Sequence, residues 1–179
     1  MKRQTLLAIL FLIIISACSD SQPLETVSSV DINKYMGRWY DIASYPAFFQ
    51  KGCRCTTADY ELISEKGYVQ VINRCIKFKN GKSKLIEAKA KAFVIEGSAN
   101  ARLKVQFFWP FRGDYYIIGL AEDYSWAIVG EPKRKYLWIL GRNSLIPTQT
   151  YNKILQLIQS KGYDTARLVK TSQNCDIEN

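Results

Sequence analysis

The chain has 179 residues, of which 47% are hydrophobic and 23% are charged, and its net charge is +9. This length and composition predict one ordered globular domain and exclude a disordered chain. The sequence contains no histidine, which excludes serine–histidine and cysteine–histidine catalysis and argues against zinc and haem sites. We therefore expect neither a metal nor a cofactor.

The N-terminus predicts export as a lipoprotein. Lys2 and Arg3 precede an apolar run, 6–15, that is too short to span a bilayer comfortably. Small residues follow it and lead directly to Cys18, a pattern similar to a bacterial lipobox. We interpret 1–17 as a lipoprotein signal peptide and Cys18 as the lipid-modified first residue of the mature chain. A plain signal peptide followed by an incidental cysteine is the alternative.

The residues after Cys18 bear on location and charge. Ser19 follows the cysteine where an inner-membrane retention signal would place aspartate, which favours the bacterial outer membrane. Segment 18–30 is polar and without periodicity, and it predicts a tether to the domain at 31–179.

Without the signal peptide the net charge is +7, from 23 basic and 16 acidic residues. The excess basic residues are either solvated or attracted to anionic lipid head groups. No predicted helix carries a basic face, which argues against a nucleic-acid partner.

The sequence of the domain predicts a series of strands followed by one helix. Asp31 is expected to cap a short helical turn that ends at Tyr35. Alternation and turn signals predict eight strands: one from Gly37 to Ala43, then 56–63, 67–75, 85–94, 101–108, 115–120, 125–130 and 135–142. An amphipathic helix is predicted over 147–161, with a threonine cap at Thr148 and a stop at Gly162. A last strand, 165–171, is expected beside the first.

Eight antiparallel strands with local connections predict an all-β, up-and-down barrel, because closing the sheet removes both edges. The helix is expected to pack outside it. An eight-stranded barrel has an interior just wide enough for one small ligand. The sequence therefore predicts a binding cup rather than a channel.

The two-residue period of strands assigns the inward face, if each hairpin pairs tightly. The residues expected to line the ligand cavity are Trp138, Tyr116, Phe107, Tyr136, Tyr60, Ile118, Val105, Ala127 and Val129. The same parity places further residues inside: Ala58, Leu62, Val69, Val71, Leu103, Leu120, Leu140 and Arg142. The hydroxyl groups of Tyr60, Tyr116 and Tyr136 are candidates to bind a polar head group.

Asp41 has inward parity from Trp39, and two interpretations of it remain open. It is either a buried pocket group or a structural carboxylate whose hydrogen bonds are satisfied. A second open point is Cys53-Arg54-Cys55, where an arginine beside a thiol would favour a reactive thiolate.

Three features together resemble the lipocalin family. They are Gly37-x-Trp39, the loop Glu122-Asp123-Tyr124, and Arg142 directly after the last barrel strand. The resemblance covers 31–175 and is greatest to the bacterial outer-membrane lipoprotein members, which are similar to apolipoprotein D. It implies that Arg142 packs over Trp39 and closes the barrel floor, a structural role that we favour over ligand binding. A guanidinium stacked on an indole is a favourable arrangement for a buried cation.

The cysteines that follow Cys18 are even in number, which predicts disulfides in an exported chain. Four cysteines allow three pairings. The resemblance implies a Cys55–Cys175 bridge, as in apolipoprotein D-like lipocalins, and this leaves Cys53 to pair with Cys75. Strand parity puts Cys53 outside and Cys75 inside, so this second bridge requires a bulge or frayed strand ends.

The resemblance implies a lipid-anchored, outer-membrane protein that binds or carries a fatty acid or lysophospholipid for lipid storage, transport or membrane maintenance. On this interpretation the protein is not an enzyme. Two alternatives remain: a lipocalin-fold enzyme that acts on a lipid or pigment through a free thiol or carboxylate, and a filled barrel with a purely structural role. The sequence leaves the oligomeric state open, a homodimer included.

Overall fold

The computed structural model describes residues 22–80 and 82–175. The predicted signal peptide, 1–17, and the predicted lipidation site, Cys18, lie outside the described residues. Within the described ranges, no helix is both long enough and apolar enough to cross a membrane.

Nine strands and two α-helices are formed by the described residues, in the following order: α1 (Ile32–Tyr35), β1 (Gly37–Ser44), β2 (Cys53–Ile63), β3 (Tyr68–Lys79), β4 (Lys82–Val94), β5 (Arg102–Phe108), β6 (Phe111–Leu120), β7 (Trp126–Gly130), β8 (Leu137–Gly141), α2 (Thr148–Ser160) and β9 (Val169–Lys170).

Strands β1 to β8 form a closed antiparallel barrel with sequential neighbours, because β1 pairs with both β2 and β8. Strand β9 adds to β1 at Ala43 and Ser44. The predicted barrel and outer helix are confirmed. The final strand lies beside β1 as predicted, but it spans only Val169–Lys170, because Thr165–Arg167 forms a 3-10 turn. The predicted threonine cap is wrong: Pro147 occupies the cap position of α2, without a side-chain hydrogen bond.

Two apolar cores lie on opposite faces of the sheet. The inner core fills the barrel around Trp39, Tyr35 and Ile117. The outer core lies between the sheet and α2, where Ile154 and Ile158 are fully buried. These two side chains are one helical turn apart, so α2 buries a single stripe.

The segment before α1 departs from the sequence-based expectation. Leu24 and Val30 are buried, and the Val27 amide donates to the Ile117 carbonyl at 2.9 Å. Apolar side chains at these positions are removed from water by the barrel wall. The predicted tether, 18–30, is therefore packed on the domain in its second half.

Strands β1 and β2 separate toward one end of the barrel, and the C-terminal tail fills the gap. They pair only from Gly37↔Tyr60 to Tyr40↔Thr57. Beyond this point the amide of Cys55 donates to the carbonyl of Ser172 at 2.7 Å. We call this gap, bounded by the end of β1, the start of β2 and 169–175, the fork.

Both predicted disulfides are confirmed. Cys55 is bonded to Cys175, which fastens the tail into the fork, and Cys53 is bonded to Cys75. The second bridge depends on a bulge in β2: Arg54 pairs with Ile76, but Thr57 pairs with Arg74. One extra residue reverses the facing of the strand, so Cys53 comes to the same side as Cys75.

Two further bulges correct the predicted facing of β6. Tight pairing across the β5–β6 turn would place Leu103 opposite Tyr116. Instead the register shifts between Val105 and Phe108, and Leu103 pairs with Tyr115. Tyr115 therefore faces the barrel interior, whereas the predicted inward residues Tyr116 and Ile118 belong to the outer core.

The second bulge lies within β6 and cancels the first. Ile117 pairs with Val129 but Gly119 pairs with Ile128, so Ile118 is the extra residue. Leu120 is consequently opposite Ala127 and packs on the inner core. Because the shifts offset each other, the predicted inward facing of Ala127 and Val129 is correct.

Candidate functional site

The closed end of the barrel is built around Trp39, which is fully buried. Its Nε1 donates to the Tyr35 carbonyl at 2.8 Å, at the end of α1. The Arg142 guanidinium lies 3.9 Å from the indole centroid and donates to the carbonyls of Lys34 and Arg38, at 2.6 and 2.9 Å. The cation is thus stacked and hydrogen-bonded, which suits a partly buried guanidinium. This is the arrangement that the resemblance implies for Trp39 and Arg142.

Gly37 allows the arginine to approach. Its φ of +91° is one that L side chains rarely adopt, and an added Cβ would lie 3.4 Å from Nη1 of Arg142. A glycine at this position therefore serves both the backbone turn into β1 and the packing of the guanidinium.

Three tyrosines fill the interior above the closed end. The Tyr115 hydroxyl hydrogen-bonds those of Tyr35 and Tyr60, at 2.8 and 2.9 Å. Burial raises the pKa of Tyr60 to about 12, and it raises the pKa values of Tyr35 and Tyr115 well above their usual range. All three hydroxyls are therefore neutral. The void beside them measures about 10 Å³, room for about one water molecule, so the side chains in this arrangement leave no space for an alkyl chain.

The predicted ligand-binding residues divide into three groups in the structure. Five pack in or against the inner core: Tyr60, Val105, Ala127, Val129 and Trp138. Phe107 and Tyr136 lie toward the opposite, open end, which is formed by the connections after β1, β5 and β7; Phe107 is 41% exposed and Tyr136 is partly buried. Tyr116 and Ile118 are separated from the others by the sheet itself, because they face α2.

An aromatic wall stands at the open end. Tyr136 stacks on Trp138 with ring centroids 5.8 Å apart, and Phe49 lies 5.9 Å from Tyr136. The Trp138 Nε1 donates to Oε1 of Gln50 at 3.0 Å. The loop after β1 is therefore tied to the tryptophan, and its phenylalanine extends the apolar surface.

A cavity of about 540 Å³ lies in the fork, and Gln50, the hydrogen-bond partner of Trp138, is part of its lining. Its volume is in the range of small-molecule sites. The lining comes from β1, the following loop, the start of β2 and the tail, and it includes Asp41, Ser44, Gln50 and three cationic residues, Lys51, Arg54 and Lys170.

Asp41 is the buried polar group of this cavity, with only 4% of its surface exposed. Its Oδ2 accepts hydrogen bonds from Ser44 Oγ and Gln50 Nε2, both at 3.2 Å, whereas its Oδ1 has no partner. Burial raises the pKa of this carboxyl to about 6, against the hydroxyl and amide groups of Ser44, Thr171 and Gln50, which lower it. Of the two open interpretations, the pocket group describes Asp41 better than the satisfied carboxylate does.

The raised pKa of Asp41 has a consequence for stability. The folded chain binds more protons than the unfolded chain between about pH 4 and pH 6, so ionisation of Asp41 lowers stability as the pH rises through that window. We expect Asp41→Asn to raise the free energy of unfolding by up to about 3 kcal/mol at about pH 7.5 and by much less at about pH 4. Urea unfolding at the two pH values measures both.

Asp114→Asn is the matched control, since Asp114 is partly exposed and paired with Lys104 at 2.6 Å. It is expected to show no gain in stability at either pH. An equal effect of Asp41→Asn at both pH values would contradict a raised pKa.

Three residues of the site were not predicted as such: Tyr35, Tyr115 and Gln50. Tyr115 was missed because the β5 bulge cannot be read from alternation. Gln50 was missed because one of its contacts, Trp138, is 88 residues away, and the other, Asp41, is reached only by the fold of the loop after β1. Tyr35 was missed although it is a large aromatic residue only four positions before Trp39, and the two ring centroids lie 5.0 Å apart in the structure.

A lipocalin-like domain matches residues 30–173. The outer membrane lipoprotein Blc of Vibrio cholerae is 35% identical over 85% of this chain and 88% of its own. Temperature-induced lipocalin-1 of Arabidopsis thaliana is 36% identical, over 87% of this chain and 86% of its own. Apolipoprotein D of Mus musculus is 35% identical, over 87% of this chain and 82% of its own.

Among solved structures, insecticyanin of Manduca sexta superimposes with a TM-score of 0.66 and 15% identity, over 86% of this chain and 85% of its own. That likeness shows the fold. The family match covers most of the chain, and the barrel, the Trp39–Arg142 pair and the outer helix agree with it. This chain belongs to the lipocalin family.

Proposed function

We propose that this lipocalin binds a single-chain lipid, a fatty acid or lysophospholipid, with its alkyl chain against the aromatic wall. The observation that carries this proposal is the wall itself: Trp138, Tyr136 and Phe49 form an apolar surface at the open end. Gln50, which accepts a hydrogen bond from Trp138, links this surface to the cavity of about 540 Å³ in the fork. Burying an alkyl chain there contributes about 0.8 kcal/mol for each CH₂ group. The filled closed end limits the chain to the upper half of the barrel.

Replacing Trp138 with alanine tests this proposal. We expect affinity for a fluorescent long-chain fatty acid to fall by about 5- to 150-fold, equivalent to about 1–3 kcal/mol for one large apolar contact. Titration of the purified domain with the probe measures the change. Trp126→Ala is the matched control, since Trp126 packs on the outer core, and it is expected to leave the affinity unchanged.

Probe binding that is equal in Trp138→Ala and the parent would contradict the assignment of the wall. Mass spectrometry of small molecules extracted with the protein from its native membrane then identifies what it carries. Recovery of a polar metabolite alone, with no alkyl chain, would count against a lipid ligand.

Carriage rather than catalysis is the function we propose. The thiol-based alternative relied on Cys53 or Cys55, and both are bridged, so neither supplies a thiolate. The cavity offers one buried carboxylate, Asp41, whose hydrogen-bond partners are a serine and a glutamine. These groups suit recognition of a polar group better than proton transfer at a reacting bond.

A location at the bacterial outer membrane, through a lipid on Cys18, is also part of the proposal. Aromatic side chains at the open end support proximity to lipid: Phe48, Phe108, Trp109 and Phe111 are each at least 77% exposed. Exposed apolar clusters of this kind mark interaction sites, and tryptophan favours the membrane interface.

Cys18→Ser tests the anchor. Serine cannot carry the acyl chains that stable anchoring requires. We therefore expect the variant to appear as a soluble or an uncleaved form instead of the anchored mature protein. Cell fractionation and the mass of the mature protein are the measurements. Unchanged fractionation together with an unmodified parent mass would contradict lipidation.

A further inference from the structure

The net charge of the protein is concentrated at the open end of the barrel. We call the four segments that form this end, 45–54, 78–84, 107–112 and 131–136, the rim. They contain nine basic residues and one acidic residue, Glu131. Their net charge of +8 exceeds the +7 of the whole chain from residue 18 onward, so the remainder of the mature chain is close to neutral.

The single acidic residue of the rim does not offset these cations at the surface. Glu131 is buried, and its carboxylate accepts hydrogen bonds from the amides of Lys133 and Tyr136, at 2.8 and 3.3 Å. The following cationic side chains are exposed instead: Lys51, Arg54, Lys82, Lys84, Arg112, Lys133 and Lys135. The strand connections at the closed end contain mainly acidic residues: Glu65, Glu96, Glu122 and Asp123, with Lys66. The rim is therefore the end that a negatively charged surface attracts.

Aromatic side chains project from the same rim. Four of them are at least 77% exposed: Phe48, Phe108, Trp109 and Phe111. Phe78, at the end of β3, is half-exposed, and the Arg54 guanidinium lies 5.4 Å from its ring centroid. Large apolar side chains and cations thus occur together at one end of the barrel. This combination is typical of surfaces that bind at the interface between a membrane and water.

We propose that the rim docks on an anionic lipid bilayer, with its aromatic side chains in the head-group region and its cations against the lipid phosphates. The proposal goes beyond the lipid anchor, because the rim belongs to the folded domain and needs no acyl chain on Cys18. Docking in this orientation directs the aromatic wall of the open end toward the bilayer, the source of the proposed lipid ligand. Only this last consequence rests on the proposed function.

Charge favours a bilayer over a second copy of this chain as the partner of the rim. A symmetric dimer through the rim would bring two cationic surfaces together, and burial of unpaired like charges is unfavourable. An anionic bilayer complements both features of the rim. Each lysine or arginine near such a surface strengthens binding by about 5-fold, and the aromatic side chains leave water.

Vesicle binding tests the docking without the anchor. The mature chain with Cys18→Ser carries no acyl chain, so its binding comes from the protein surface alone. We expect it to bind phosphatidylcholine vesicles that contain about one-third phosphatidylglycerol about 10-fold or more tightly than vesicles of phosphatidylcholine alone. Raising the salt from about 0.05 M to about 0.5 M should remove most of this difference, because salt screens the attraction. Co-sedimentation measures both effects, and equal binding to the two kinds of vesicle overturns the proposal.

The double variant Lys82→Gln, Lys84→Gln tests the cations of the rim. We expect its binding to anionic vesicles to fall by about 10- to 30-fold. The matched control is Lys66→Gln, Lys153→Gln, which removes the same charge from exposed positions at the closed end and on α2. It is expected to change binding by less than about 3-fold. Equal losses in the two double variants overturn the proposal, because the net charge and not the rim would then govern binding.

Trp109 reports whether the rim enters the bilayer. It is 85% exposed, whereas the other three tryptophans, Trp39, Trp126 and Trp138, are buried or partly buried. Anionic vesicles should therefore shift the tryptophan emission of the parent to shorter wavelength, and Trp109→Phe should bind without this shift. A parent that shows no shift, or an equal shift in Trp109→Phe, overturns insertion of the rim.

Trp109→Ala measures the aromatic contribution to docking. We expect binding to anionic vesicles to fall by about 5- to 10-fold, the effect of losing one large apolar contact. Leu145→Ala is the matched control, since Leu145 is 81% exposed but lies after β8, at the closed end. It should bind as the parent does. Equal losses in the two variants would contradict docking through the rim.

A second copy of the chain as the partner would give a different result. We expect sedimentation without vesicles to show the same oligomeric state for the parent and for Trp109→Ala. A parent dimer that dissociates in Trp109→Ala, together with no binding of the parent to anionic vesicles, overturns the proposal and assigns the rim to contact between copies. Titration with the fatty acid probe uses no vesicles, so the proposed function and the docking can fail separately.

Discussion

Trp39→Ala is expected to lower the free energy of unfolding by about 3–5 kcal/mol, the usual cost of removing a fully buried large aromatic side chain. The indole has no exposed surface and anchors the end of α1 through the Tyr35 carbonyl. Its removal also takes the stacking surface from Arg142 and leaves a partly buried cation with fewer contacts. For a domain of this size the melting temperature should fall by roughly 6–20 °C.

Trp109→Ala is the matched control, because that indole is 85% exposed. Its effect on the free energy of unfolding should stay within about 0.5 kcal/mol. Thermal unfolding followed by circular dichroism compares the two variants. A melting temperature of Trp39→Ala equal to that of Trp109→Ala would show that the closed end does not depend on the Trp39–Arg142 pair.

Removal of the Cys55–Cys175 bridge is expected to have a still larger effect. The two cysteines are 120 residues apart, and in the chain-entropy model a loop of this length stabilises the fold by about 5 kcal/mol. The bridge also holds the tail in the fork, where Gln173 donates to the carbonyls of Asp41 and Thr56. The double variant Cys55→Ser, Cys175→Ser should therefore lose stability and, with it, the lining of the cavity.

The double variant Cys53→Ser, Cys75→Ser is the comparison, since its loop is only 22 residues long. Its expected loss is about 3 kcal/mol in the same model. Urea unfolding of the three proteins at one pH measures the order of stability. If the short-loop variant proves the less stable, chain entropy does not govern the two bridges.

The architecture follows from local features of the sequence. Short alternating strands, turn residues and one amphipathic helix predict a closed barrel with a helix outside, and each of these depends only on neighbours along the chain. The Asp31 cap and the strand that begins at Gly37 are of this kind. The pairings Cys55–Cys175 and Cys53–Cys75 came from family resemblance, since four cysteines alone leave three choices.

The side of the sheet on which a side chain lies, inside or outside the barrel, was predictable only where no bulge intervened. In β7 and β8 the residues Ala127, Val129 and Trp138 lie on the predicted side, whereas Tyr116 and Ile118 in β6 lie on the other. One inserted residue reverses every side chain beyond it until a second insertion restores the register. Nothing in the alternation of β5 or β6 marks where these insertions lie, because their positions depend on how neighbouring strands curve around the core.

The fork was decided by tertiary structure alone. Its residues and their partners come from three separate parts of the chain: β1 with its following loop (Asp41, Gln50), β8 (Trp138) and the tail (Gln173), and only the closed barrel brings them together. Parity indicated that Asp41 is buried, but it could not indicate which of its oxygens would find a partner. Hydrogen bonding depends on distances of a few ångströms between residues distant in sequence, and packing of the whole domain sets those distances.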